Sequence, residues 1–279
     1  MTRRSARRVG WNWLAVPAVA FLGVAFFWPL LDMLHISLTD PGPENYKFFG
    51  KSPVFLRSYL TTFRIAVVVT VLCLVIGYPY AYVMNRAKGH TAMVLTFFVL
   101  LPFWSSILVR TYAWTVWLQD TGVVNSTLRS AGLTTEPVQM MRNDIGTVIG
   151  MVHVLLPIMV LTLYAGMRRV DATLVPAAHI LGARPFAAFR KVFLPLTVPA
   201  VFSGCVLVFV ISLGFYLTPA ILGDPADVMV SQLIVEQTTR LLNFGVGSAL
   251  GMVLLGATLG VLALASRAVS LDPTGRSKS

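Results

Sequence analysis

Six stretches of the chain stay apolar for long enough to cross a membrane as helices, which takes about 20 residues each. They are Trp13–Ile36, Tyr59–Met84, Met93–Leu118, Gly146–Met167, Pro199–Leu222 and Gly245–Ser266. Polar segments of unequal length separate them. In hydrocarbon every backbone group must be satisfied internally, and a helix does this within one segment. The pattern therefore predicts an all-α membrane protein with six transmembrane helices. The first stretch follows Arg3, Arg4, Arg7 and Arg8, and Ala18-Val19-Ala20 resembles a cleavage site. Its apolar run continues to Leu34, past the about 7–15 residues of a signal core, so a retained signal-anchor helix is expected. Pro17, Pro29, Pro79, Pro102, Pro157 and Pro219 lie in or near the spans. Each frees a carbonyl that must find a partner inside the protein, which suits a bundle around a pathway.

Composition agrees. Of 279 residues 56% are hydrophobic and 12% charged, against about 25% charged in soluble domains. The net charge of +11 would suggest nucleic acid in a soluble protein, but its distribution gives another reason. With the N-terminus inside, fourteen of the 22 Lys and Arg fall on the inner side, six outside, and Arg64 and Arg110 within spans. Eight of the 11 acidic residues fall outside. Basic residues are retained on the cytoplasmic side during insertion, so both termini are expected in the cytoplasm of a bacterial cell, in a multi-pass plasma-membrane protein. No nucleic-acid partner is needed. Cys73 and Cys205 lie in the middle of apolar runs and suggest no disulfide framework.

The inner segment between the fourth and fifth spans, Arg168 to Leu196, is far longer than a connector requires and rich in small and apolar residues. It reads as two short helices. The first starts near Asp171 or Thr173, either of which can cap free amides, and ends at Gly182, suited to a left-handed turn. Pro185 opens the second, where its missing N–H costs nothing. That helix is expected to run to Phe193 and to be broken by Pro195. Ala177 and Ala178 give the first helix a smooth face that another protein can approach closely. Phe186 and Phe189, three apart, share a side of the second.

This loop resembles the EAA motif of binding-protein-dependent ABC importer permeases: Glu-Ala-Ala, three residues, Gly, nine residues, Ile, one residue, Leu-Pro. Here Ala177-Ala178 is followed by Gly182, Val192 and Leu194-Pro195 at those spacings, and Pro176 stands where the motif has Glu. The resemblance implies a type I importer permease fold. It also implies a coupling helix that docks on a cytoplasmic ATPase, with Ala177, Ala178, Gly182, Arg184, Val192, Leu194 and Pro195 in the coupling surface. Span three carries a second likeness. Leu101-Pro102-Phe103-Trp104-Ser105-Ser106, then Leu108 to Trp114, Asp120, Gly122 and Asn125, is similar to the first permease subunit of spermidine/putrescine (polyamine) importers. Relatives of this type also carry other small solutes, such as iron chelates or opines.

On this resemblance, residues 1–12 form a basic cytoplasmic N-terminus and 13–58 a first helix with its external loop. Residues 59–267 form the permease core, with the coupling loop at 168–197, and 268–279 a cytoplasmic tail. The expected partners are a second homologous permease subunit, two cytoplasmic ATPase subunits, an extracytoplasmic solute-binding protein and membrane lipid. That binding protein should meet the loops Asp120–Asp144 and Gly223–Asn243. No cofactor or metal is expected on this chain. ATP and Mg belong to the partner ATPase, since the chain lacks a G-x-x-x-x-G-K-[S/T] phosphate loop.

Trp104, Tyr112, Trp114 and Asp120 are the candidates for the translocation path, because an ammonium ion is drawn to aromatic faces. Trp117 suits an interfacial belt. Arg110 would repel a cation and is assigned a structural role, and Arg64 is expected to snorkel to the interface. The histidines, His35, His90, His153 and His179, share no metal-ligand spacing. With no Ser/His/Asp or paired-carboxylate arrangement, catalysis is not expected. A channel or secondary carrier would need no docking surface of this kind.

Overall fold

The computed structural model describes residues 16–51 and 53–270. Trp13, the Arg3–Arg8 cluster and the tail from Asp272 lie outside the described residues. All regular structure among the described residues is helical. Thirteen α-helices follow in order: α1 (Val16–Thr39), α2 (Glu44–Lys51), α3 (Pro53–Arg86), α4 (Gly89–Leu100), α5 (Ile107–Leu118), α6 (Val123–Ser130) and α7 (Asp144–Met167). Then come α8 (Leu174–Ile180), α9 (Pro185–Ala188), α10 (Leu194–Leu213), α11 (Leu217–Leu222), α12 (Val230–Val235) and α13 (Phe244–Ser270).

Among the described residues five helices are long and apolar enough to cross a membrane, six spans in all when one bent pair is counted as a single span. The centre is a three-helix packing of α3, α7 and α10. On α7 the stripe Met151, Leu155, Met159, Leu163, Met167 recurs every fourth residue and is wholly buried, as one face of a helix requires. It meets Ile65, Val69, Cys73, Ala81 and Met84 of α3, and Val208 of α10. Two glycines let the helices close on it. A Cβ at Gly77 would lie 3.1 Å from Met159 Cγ, and one at Gly204 2.8 Å from Met159 Sδ. Helix packing in lipid rests on such close approach, since apolar side chains gain little by leaving acyl chains for one another. Outward faces are apolar, with Leu60, Val67, Val71 and Val75 exposed along α3.

A second unit stands beside this core. Helix α1 packs along α13, which also carries α12. Tyr59 at the start of α3 joins the two units, donating from its hydroxyl to the Leu250 carbonyl at 2.6 Å. Its ring packs with Val230, Leu233, Val246 and Leu250.

Two predicted spans take a different shape. Met93–Leu118 is a broken span, in which Gly89–Trp104 and Ile107–Ser130 are bent by 97°. Pro102 sits in a 3₁₀ turn over Leu101–Trp104, and Ser105 and Ser106 take extended ψ angles of 142° and 140°. Hydropathy summed along the chain is blind to a change of direction, so both arms register as one run. The fifth span is Pro185–Leu213 rather than Pro199–Leu222. Helix α9 passes into α10 through a π turn at Phe189–Phe193, and Pro195 starts α10 without breaking it. A wide turn leaves amides without ordinary partners, and there the missing N–H of proline costs little. The predicted break after Phe193 is absent, and the real break falls at Gly214–Tyr216, before α11.

Candidate functional site

The segment between α7 and α10 folds into one rigid elbow. Asp171 opens it, its Oδ1 accepting from the Thr173 amide at 2.9 Å and the Thr173 hydroxyl at 2.7 Å. These two donors, the amide first, hold the Asp171 carboxyl below its ordinary value of 3.8. Asp171 is thus the capping side chain, while Thr173 takes the N-cap position of α8 without a side-chain bond to the helix. Gly182 has φ +83°. Its amide donates to the His179 carbonyl at 2.9 Å and the Ala183 amide to the Ala178 carbonyl at 3.0 Å, the paired bonds of a Schellman C-cap. Pro185 occupies the first turn of α9 behind Arg184.

The elbow has an inner and an outer side. Ala178, Ala188 and Phe193 are buried, so α8 and the α9–α10 junction close on small side chains. Phe189 and Phe193 stack at 6.0 Å, and each meets the Tyr82 ring edge-on at 5.3 Å. Ala177, Gly182, Arg184 and Pro195 are exposed, and Val192 and Leu194 half-buried. Phe186 and Phe189, expected on one side of the second helix, meet different surroundings. Phe189 packs under the bundle, while Phe186 is 72% exposed, alongside Ile180 at 86% and Leu181 at 87%. Sequence reasoning missed Ile180 and Leu181. Three large apolar side chains in the open next to a rigid turn form a surface that another protein can cover.

The four path candidates do not line a single helix, because span three is broken. Trp104 ends the first arm, 72% exposed and 6.1 Å from Phe97. Tyr112 is exposed on α5. Trp114 turns inward, its Nε1–H donating to His153 Nδ1 at 3.0 Å, with Trp117 at 5.8 Å. Asp120 is exposed just past α5, and its carbonyl accepts from Arg129 at 3.2 Å. Arg110 lies half-buried on α5, and its Nε is buried with no hydrogen-bond partner. The loop beyond is built on Asn125, wholly buried. Its amide group donates to the Val138 carbonyl at 3.0 Å and accepts from the Val138 amide at 2.8 Å.

Arg64 of α3 finds two carboxylate partners. It pairs with Asp144 at 2.5 Å and with Asp227 at 3.3 Å. The other Asp227 oxygen accepts from Arg57 at 3.1 Å and from the Thr61 hydroxyl at 2.7 Å. The network ties α3, the start of α7 and the segment before α12 together at the predicted outer end. Its members are 80 to 170 residues apart, so no local pattern could reveal it.

The sequence matches the family described as "Binding-protein-dependent transport system inner membrane component" over residues 2–270. It is 33% identical over 259 residues to the spermidine/putrescine transport system permease protein PotB of Haemophilus influenzae, covering 87% of this chain and 89% of that one. To PotB of Escherichia coli it is 29% identical over 202 residues, with 72% and 74% covered. The fold is shared with a chain of a bacterial alginate ABC transporter solved with a pentasaccharide-bound periplasmic protein, at TM-score 0.69 and 18% identity, with 91% of each chain covered. The broken third span, the helical elbow and the near full-length match together place the chain in that family, as a multi-pass inner-membrane permease subunit of an ATP-binding-cassette importer, which works with an ATPase and a solute-binding protein.

Proposed function

We propose that this permease carries a polyamine such as spermidine or putrescine inward, paired with a second homologous permease, with both termini in the cytoplasm. The near full-length likeness to a spermidine/putrescine permease carries this reading. Trp104 and Tyr112 offer exposed aromatic faces for ammonium groups, and Asp120 offers a carboxylate. On the cytoplasmic side the elbow from Ala177 to Pro195 docks in a groove of the ATPase, with Ile180, Leu181 and Phe186 covered in the complex. ATP and Mg²⁺ bind that partner. Nucleotide shifts the bundle between two states only as far as it favours one of them, and the docked elbow gives it that preference. The loops Asp120–Asp144 and Gly223–Asn243 meet the binding protein.

The test is uptake of labelled spermidine into vesicles holding the assembled transporter, its binding protein and ATP. ATP-dependent accumulation is expected, with ATP hydrolysis stimulated by the spermidine-loaded binding protein. Hydrolysis that ignores spermidine but responds to another solute overturns the substrate. Hydrolysis untouched by any loaded binding protein overturns the coupling. One observation favours a second reading, an anionic small solute such as an iron chelate or an opine: the unpartnered Arg110 Nε on α5. The same assay separates the two.

A further inference from the structure

A cavity of about 410 Å³ opens where α3 and α7 end, beside the elbow. Arg86, Lys88 and Arg168 line it, together with Asn85, Asp171 and His179. Among the described residues none of the three cations lies within 4.0 Å of a carboxylate. Asp171 instead turns one oxygen to Thr173. Arg86 is held in place, its guanidinium 4.8 Å from the centre of the Tyr82 ring, which also meets Phe189 and Phe193 edge-on. The floor is apolar, formed in part by Met167 and Phe193.

Cations that end two membrane helices sit at the level of the lipid phosphates, and unpaired cations over an apolar floor match a phosphate ester joined to hydrocarbon. Basic pockets between membrane helices on the cytoplasmic side suit anionic headgroups. We propose that this cavity binds the phosphate of an anionic phospholipid against the root of the elbow. This rests on the proposed orientation, which turns this end of the bundle to the cytoplasmic leaflet. Bound there, the lipid bridges the ends of α3 and α7 to α8, so it bears on the segment proposed to meet the ATPase.

The test is lipid titration of the assembled transporter followed by native mass spectrometry, with phosphatidylglycerol against phosphatidylcholine of the same chains. Phosphatidylglycerol should be retained preferentially. R86Q and R168Q should each weaken it about fivefold, since a basic residue near an anionic surface contributes about 1 kcal/mol. Phosphatidylcholine should be unaffected. P176E, which adds a carboxylate to the wall and removes no cation, should weaken phosphatidylglycerol alone and guards against misinserted basic variants. Equal retention of both lipids, or wild-type affinity in all three variants, overturns the proposal. So does occupancy by millimolar inorganic phosphate in phosphatidylcholine nanodiscs, which makes the ligand a soluble anion. Variants that shed the ATPase while keeping phosphatidylglycerol would reassign the cavity to that partner. None of these readouts uses the transported solute, so they stand apart from the substrate assignment.

Discussion

At residue scale, two polar groups and one glycine decide local structure. At Gly182 the space around a Cβ is open, so a substitution there acts through φ alone, at about 1–2 kcal/mol for a residue with a Cβ. Gly182→Val should therefore leave the protein folded but shift the elbow, lowering transport severalfold while the ATPase still binds nucleotide. Uptake and hydrolysis measured together check this. Asn125→Ala removes both bonds to Val138 and should cost about 2 kcal/mol, read as faster amide exchange across Leu133–Asn143. The depressed Asp171 carboxyl contributes to the elbow fully above its ordinary value of 3.8 and loses that contribution as pH falls below it. Between pH 6 and 8, a range of about two units, the elbow should show no pH dependence from this group, and Asp171→Asn should not create one. Gly182 was legible because a helix-ending glycine has a local signature. Arg64 was not, because its two carboxylates come from α7 and the segment before α12.

At element scale, the elbow and the broken span differ in how far they could be read. Motif spacing, Gly182 and Pro185 marked the end of α8 and the start of α9, since caps and turns are local chemistry. The continuity of α9 into α10 was hidden, because a proline after a helical run ordinarily signals an end. Only the clamp of Phe189 and Phe193 on Tyr82 shows that the junction is held from the side. Phe189→Ala opens that clamp and should cost about 3 kcal/mol. Thermal unfolding of the reconstituted transporter should register the loss, and uptake should fall more than ATP hydrolysis. The 97° bend of span three was equally hidden, because periodicity and hydropathy carry no direction. That bend sends Trp104 and Trp114 into different surroundings, and it explains why the path candidates on span three do not share one helix face.

At the scale of the whole molecule, α3, α7 and α10 form one body and α1 with α13 another, joined through Tyr59 and α2. A Cβ at Gly245 would run into the Asp40 backbone carbonyl, and backbone yields less readily than a side-chain tip. Gly245→Ala should loosen the second body by about 1–3 kcal/mol, seen as protease access to the Thr39–Glu44 turn with the α3–α7–α10 core still protected. Six apolar runs announced the number of spans. How they pair was not legible, since small residues such as Gly77 and Gly204 matter through what faces them.

The unbroken course from Pro185 to Leu213 has a mechanical consequence. Twenty-nine residues make a strut of about 43 Å with its foot among the exposed side chains of the elbow and its tip at the Gly214 break. Tilting it by about 5° around the foot displaces the tip by nearly 4 Å, about the width of a methylene chain. Small movements of a motor at one end thus arrive magnified at the other, where α11 begins.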